Sequence, residues 1–152
     1  MAQGSSELNI SAVIKQSDLQ KGLNALHEAF FLSDNKVLHV FLIGVGLIGK
    51  TLISMIQNQL NKLQEDYMLD IKIHGLANSR FMAFDEDGFD LSSIPVSYSE
   101  DLPMDLTVFL NTMNSMNFSN SVLVDCTASQ DVADTYERVL TSKVAIVTPN
   151  KK

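Results

Sequence analysis

The spacing of apolar residues divides the chain into alternating strands and helices. Leu8, Ile10, Ala12 and Ile14 alternate with polar neighbours, the period of a half-buried strand over 8–14. Ser17-Asp18-Leu19-Gln20 then reads as a capping box, and Leu19, Leu23, Leu26, Phe30 and Phe31 recur behind it at helical spacing. The break at Ser33-Asp34-Asn35 closes this pair. One strand and one helix cannot bury both apolar faces alone, so the pair needs cover, from the following domain, a missing piece or a neighbouring copy. A mostly apolar run over 37–43 predicts a buried strand. Leu47, Ile48, Leu52, Ile53, Ile56, Leu60 and Leu63, widened by Met55, form the apolar face of a helix that runs from Gly46 to about Leu63. The polar stretch 58–66 ends it, and Ile71, Ile73 and Leu76 mark a second strand over 69–77. Strand, helix and strand make one right-handed βαβ unit.

The next stretch is less regular. Phe81-Met82-Ala83-Phe84 and 89–91 flank Asp85-Glu86-Asp87-Gly88 as the arms of a hairpin. The acidic cluster lacks the ligand spacing of a calcium loop and reads as a solvated turn. Leu106, Phe109, Leu110 and Met113 predict a helix over 105–116, with Met113 and Met116 as core filler. Val122-Leu123-Val124 is continuously apolar, as expected of a strand covered on both faces of a parallel sheet. Ser129 is placed to cap a helix over 130–140, and 144–147 is the last strand. The fold expected is α/β, a Rossmann-like doubly wound sheet of mainly parallel strands. The chain stops at a strand tip, where such a domain would continue with a helix, so this end reads as truncated.

The chemistry begins where the first strand of the βαβ unit ends. Gly44, Gly46 and Gly49 form G-x-G-x-x-G between a buried strand and a helix, the context a dinucleotide-binding turn requires. Gly44 allows the tight turn, Gly46 lets a pyrophosphate approach the backbone, and Gly49 lets the helix pack on the strand. The helix N-terminus offers free N–H groups and partial positive charge. The second strand ends in Asn78-Ser79-Arg80, with no Asp or Glu to bind a ribose 2′-hydroxyl. NADP is therefore favoured, with NAD possible; a solvated loop charge is the plainer reading of Arg80. Asp125-Cys126-Thr127-Ala128-Ser129 stands at the end of a central strand, where open α/β sheets bind ligands. Thr127 and Ser129 are candidates for the nicotinamide ribose, while Ser129 also serves as a cap. Asp125 reads as an internal hydrogen-bond acceptor at the strand end. Cys126 reads as a small packing residue. His27 and His39 read as surface or packing residues, and His74 alternates outward from its strand.

Composition narrows the function classes. With 18 acidic and 11 basic residues the net charge is −7, which argues against nucleic acid as a partner. The single cysteine allows no internal disulfide, and no apolar run reaches membrane-spanning length. The first residues lack the basic and apolar regions of a secretory signal, so a cytoplasmic protein is expected.

Four segments carry a resemblance: Phe41-Leu42-Ile43-Gly44-Val45-Gly46-Leu47-Ile48-Gly49, Gly75-Leu76-Ala77-Asn78-Ser79-Arg80, Val124-Asp125-Cys126-Thr127-Ala128-Ser129 and Val147-Thr148-Pro149-Asn150-Lys151-Lys152. In this order they resemble the nucleotide-binding domain of homoserine dehydrogenase, and more narrowly that of the bifunctional aspartokinase/homoserine dehydrogenases. Ala2-Gln3-Gly4-Ser5-Ser6-Glu7 with Asn9-Ile10-Ser11-Ala12-Val13-Ile14 resembles the end of the ACT regulatory region that precedes the dehydrogenase there. The resemblance implies residues 1–34 as an ACT remnant with linker and residues 35–152 as a NAD(P)-binding domain. It implies an oxidoreductase of threonine and methionine biosynthesis that interconverts aspartate 4-semialdehyde and homoserine, in a homo-oligomeric chain that also carries aspartokinase. The pyrophosphate then falls to Gly44, Val45, Gly46, Leu47, Ile48 and Gly49, with backbone N–H groups from Val45, Leu47 and Ile48. Lys151 lies near nicotinamide and substrate, as the catalytic candidate. The family's later acidic and lysine residues are absent, so the chain alone is expected to bind cofactor weakly without turnover, and half an ACT module is expected not to sense threonine. A non-catalytic Rossmann-type module for nucleotide sensing or assembly is the alternative.

Overall fold

The computed structural model describes residues 13–31, 36–92 and 102–152. Its contacts divide the chain into two compact units, Met1–Ser33 and Asp34–Lys152.

In the first unit a 3-10 turn, Gln16–Asp18, runs into helix α1, Leu19–Phe31. Ser17 lies inside that turn, and its side chain, on which the expected capping box depends, lies outside the described residues. The strand expected over 8–14 falls outside the described residues except for Val13 and Ile14, which belong to no strand. The side chains of His27, Phe30 and Phe31 also lie outside the described residues.

The second unit is built on strand β1, Lys36–Ile43, which pairs in parallel with β2, Leu69–Ala77, on one side and β5, Ser121–Asp125, on the other. Strand β6, Ala145–Val147, extends the parallel set beyond β5. Strands β3, Phe81–Phe84, and β4, Leu102–Pro103, add antiparallel to the β2 side, giving the order β4-β3-β2-β1-β5-β6. β1 shows why the sheet is covered on both faces: Val40 and Leu42 pack with Ile53 of helix α2, while Phe41 and Ile43 pack with Phe109, Leu110 and Met113 of helix α3. Helix α2 spans Leu47–Tyr67 and helix α3 Leu106–Met116. Two short helices, α4 at Gln130–Ala133 and α5 at Tyr136–Thr141, connect β5 to β6 and place Val132 and Val139 on the α3 face. With helices on both faces, the sheet is the doubly wound, mainly parallel α/β arrangement expected.

Three elements differ from the sequence reading. Helix α2 continues through the polar stretch to Tyr67, because long-chain polar residues propagate a helix well, and it stops only where Met68 turns left-handed at φ 51°. The hairpin is formed by β2 and β3 around Asn78, not by 81–84 and 89–91; Phe89 instead donates its N–H to the Ile73 carbonyl, 2.8 Å. The helix expected over 130–140 is broken into α4 and α5. Asp105 does cap α3, accepting from the Val108 N–H at 2.9 Å. Asp105→Ala is expected to lower the unfolding free energy by about 1 kcal/mol, read as a lower urea midpoint at unchanged slope.

A register shift between Val40 and Phe41 places one extra residue, His74, in β2. Ile73 lies on the α2 face and His74 on the α3 face, as alternation requires, but that face is covered too, so His74 is buried rather than outward; the shift resets the alternation after it, returning Leu76 to the α2 face. There it is 1% exposed and meets His39, 7% exposed, with Phe118 stacked on the His39 ring at 4.3 Å. Gly75 completes the bulge, where a Cβ would lie 2.7 Å from the Phe41 ring.

Candidate functional site

β1 leads through α2 to β2 on one side, and β5 leads through α4 and α5 to β6 on the other. The carboxyl ends of β1 and β5 therefore form a topological switch point, the crevice where open α/β sheets bind ligands. Three chain segments converge on it.

The first is the glycine turn. Gly44 has φ +100°, and a Cβ there would sit 2.7 Å from the Cys126 carbonyl carbon and 2.9 Å from Thr127 Cγ2. A Cβ on Gly49 would collide with the Gly44 carbonyl oxygen. Both glycines are therefore required by the fold itself. Gly46 differs: nothing in the chain lies within 4 Å of the Cβ it lacks. It is exposed and stands at the N-cap of α2, whose helical bonding begins with Lys50 N–H to Gly46 O at 3.0 Å. The N–H groups of Leu47, Ile48 and Gly49 belong to the first turn and have no acceptor within the helix. Val45 was expected to offer its N–H as well, but that group donates to the Ala77 carbonyl at 3.1 Å, beside Gly44 N–H at 2.8 Å. These two bonds tie the turn to the end of β2. Leu47 is 87% exposed and Ile48 more than half, so neither lies on the buried face of α2.

The second segment is the β2–β3 turn. Asn78 Oδ1 accepts from the backbone N–H groups of Arg80 at 2.7 Å and Phe81 at 2.8 Å. Its carbonyl oxygen is thus engaged in shaping the turn, leaving the amide NH2 as a donor. Ser79 and Arg80 are exposed, and the Arg80 guanidinium lies 5.6 Å from the centre of the Phe81 ring.

The third segment is the pair of strand ends after β5 and β6. Asp125 is fully buried, and its carboxylate accepts from Thr127 N–H at 2.7 Å, Tyr136 O–H at 2.6 Å and Asn150 Nδ2 at 3.1 Å. Burial by itself raises the Asp125 pKa, but the bonds from Thr127, Tyr136 and Asn150 outweigh it and hold the group below its ordinary value. Asp125 is therefore an internal acceptor, as its position at the strand end suggested. Ser129 makes no side-chain cap; its N–H donates to Thr127 Oγ1 at 3.1 Å, and its carbonyl accepts from Asn150 Nδ2 at 3.0 Å. Cys126 is half-buried, and burial followed by the Asp125 charge pushes its thiol above the ordinary value, which suits a packing residue rather than a nucleophile. Lys151 is exposed next to Asn150. Tyr136 carried no sequence signal, and Thr148 none beyond its place in the last of the four resembling segments: a lone tyrosine on a helix and a threonine after a strand are ordinary residues until the fold brings them together.

Comparison with known proteins agrees with this geometry. Residues 44–152 match the family described as homoserine dehydrogenase, NAD binding domain. The chain belongs to that family. Residues 1–30 match the ACT domain. The chain is 40% identical over 154 residues to bifunctional aspartokinase/homoserine dehydrogenase 1 of Zea mays, an alignment that covers all of this chain and 17% of the relative. It is 38% identical over 157 residues to the bifunctional enzyme of Haemophilus influenzae, covering 18% of that protein. Among solved structures, the homoserine dehydrogenase of Thermoplasma acidophilum shares the fold at TM-score 0.58 and 22% identity, over 76% of this chain and 36% of that one. In this NAD-binding domain the glycine turn meets the Asn78 turn through Ala77 and the Thr127 loop through Gly44, at the carboxyl ends of the central strands. Among the described residues no cluster of metal-ligating side chains occurs, and no helix is long and apolar enough to cross a membrane.

Proposed function

We propose that this chain binds NADP(H) as the cofactor domain of a cytoplasmic homoserine dehydrogenase that interconverts aspartate 4-semialdehyde and homoserine for threonine and methionine synthesis, in a protein that also carries aspartokinase. We place the join between the ACT-like segment and the dinucleotide-binding domain at residues 34 and 35. The observation that carries the cofactor reading is Gly46. Packing does not require a glycine there, since its missing Cβ faces open space. A pyrophosphate approaching the backbone does require one, and it would meet the N–H groups of Leu47, Ile48 and Gly49.

Orientation follows from the strand order. The adenosine half lies over the end of β2, where a 2′-phosphate meets Asn78, Ser79 and Arg80 without a carboxylate to repel it. The nicotinamide half then lies over β5 and β6, beside Thr127 and Ser129. The bound nicotinamide supplies or accepts the hydride. Lys151 offers an ammonium group to the carbonyl oxygen on which negative charge develops.

Titration of the chain with NADPH, NADH and ATP, followed by fluorescence, tests the reading. NADPH is expected to bind at least about tenfold more tightly than NADH, the equivalent of one charge-assisted hydrogen bond. Arg80→Ala is expected to weaken NADPH by about tenfold and to leave NADH within about twofold. Equal affinities for the two dinucleotides would remove the NADP assignment, and a preference for ATP would replace the dehydrogenase reading with nucleotide sensing.

A further inference from the structure

The network around Asp125 is larger than a strand end needs. A buried strand-terminal residue can satisfy its backbone groups through the sheet. Here a carboxylate with no solvent exposure gathers donors from three separate segments: the loop after β5, helix α5 and the tip after β6. A second set of bonds cross-braces the first. The Thr148 hydroxyl donates to the Asp125 carbonyl oxygen at 3.0 Å and accepts from Asn150 N–H at 2.8 Å. Asn150 Nδ2 bridges the Asp125 carboxylate and the Ser129 carbonyl, 3.1 and 3.0 Å away. The tip that bears Lys151 and the loop that bears Thr127 and Ser129 are thus fastened to one anion.

We propose that Asp125, with Tyr136 making its shortest hydrogen bond, is a positioning residue that locks the 148–151 tip against the 126–129 loop, so that together they form the binding wall for the nicotinamide half of the dinucleotide. This rests on the cofactor reading given above. The charge matters as well as the shape. An ionised acceptor roughly doubles the strength of each bond it receives, and a neutral amide in its place would turn an NH2 toward donors already present. The Tyr136 phenol has one hydrogen, which the 2.6 Å bond commits to the carboxylate, so the Thr148 hydroxyl 3.1 Å from the phenol oxygen is held by geometry rather than by a further strong bond. Losing the carboxylate charge therefore frees tip and loop together. The adenosine side, set by the β2 end and the glycine turn, has its own fastenings at Ala77 and Asn78 and stays in place.

Two ligands separate the halves. NADPH reaches both; adenosine 2′,5′-bisphosphate reaches only the adenosine side. Asp125→Asn and Tyr136→Phe are measured in the full chain against each ligand by calorimetry, with thermal melting alongside. Tyr136→Phe keeps the ring and its packing, and it serves if the aspartate variant does not fold. The expected result is a loss of NADPH affinity of about tenfold for Asp125→Asn and about fivefold for Tyr136→Phe, with the bisphosphate within about twofold of wild type in both. Equal losses for the two ligands, or unchanged NADPH affinity in folded variants, overturn the proposal. Wild-type protein that binds neither ligand overturns the cofactor reading itself, a distinct outcome.

Discussion

Gly49→Ala should destabilise the dinucleotide-binding domain severely, whereas Gly46→Ala should leave it folded and unable to hold a dinucleotide. At Gly49 the added methyl runs into the Gly44 carbonyl oxygen. That atom is backbone, in a turn pinned to Ala77 by two hydrogen bonds, so it cannot swing aside as a flexible side chain would. Relief requires lifting α2 off β1, which separates Ile53 from Val40 and Leu42. The expected loss is about 3 kcal/mol or more, a fall in melting temperature of roughly 10 °C. Gly44→Ala belongs to the same class, since φ +100° and the Cys126 carbonyl carbon at 2.7 Å both oppose a side chain. Gly46→Ala meets no atom of the chain, and a helix N-cap loses at most about 1 kcal/mol on this change. Its methyl instead fills the space a phosphate needs, for an expected loss of about 100-fold in NADPH affinity. Melting curves and NADPH titrations on the three variants give the answer. A Gly46→Ala protein that binds NADPH as wild type does would defeat the argument drawn from that glycine.

Stability should fall steeply in mild acid because of the His39–His74 pair. His74 Nδ1 lies 2.9 Å from the Asp85 carbonyl oxygen, which can only accept, so Nδ1 carries the hydrogen. Its Nε2 is then the acceptor for His39 Nδ1–H at 2.8 Å, and both rings are neutral. The charged groups that act on the pair are Lys72 on β2 and Asp85 after β3, while Glu86 acts through its backbone. Burial first, then His74 and Lys72, lower the His39 pKa from 6.5 to about 4. For His74 burial also outweighs the opposing Asp85 interactions, and its pKa is lowered too. The sign follows: below 6.5 the unfolded chain takes up a proton that folded His39 refuses, so stability present at pH 7.5 is lost as pH falls toward 4. His39 alone accounts for about 2 kcal/mol by pH 5 and about 3 kcal/mol by pH 4. Urea unfolding of wild type and His39→Asn across pH 7.5 to 4.5 isolates this contribution from that of the carboxylates. A variant whose profile runs parallel to wild type would show that His39 does not titrate this way.

Much of the fold was legible because its signals are local. A strand covered on both faces must be apolar throughout, and Val40 to Ile43 and Val122 to Val124 are. The helix after Gly46 shows its period within one turn of its start. The hairpin was misplaced because Asp85-Glu86-Asp87-Gly88 has turn composition, while the true turn depends on Asn78 Oδ1 bonding back to two N–H groups, which composition does not display. The break between α4 and α5 was missed for a similar reason, since Thr135 interrupts the helix without a proline or glycine to mark it. His74 does alternate away from Ile73, but alternation says only which face a residue takes, not that Phe118 and α3 cover that face.

By itself the sequence determined most of the element order and the glycine turn, since each depends on residues within a few positions of one another, and it determined the family through four short segments recurring in order. Only the tertiary structure decided which glycine is free for a ligand, which N–H groups remain unspent, and where Asp125 directs its charge. Those depend on what another strand places beside a residue. Val45 loses its N–H to Ala77, 32 residues away along the numbering, and Asp125 takes a donor from Asn150, 25 residues on. No local pattern encodes a partner at that distance, because packing chooses it after the strands have aligned.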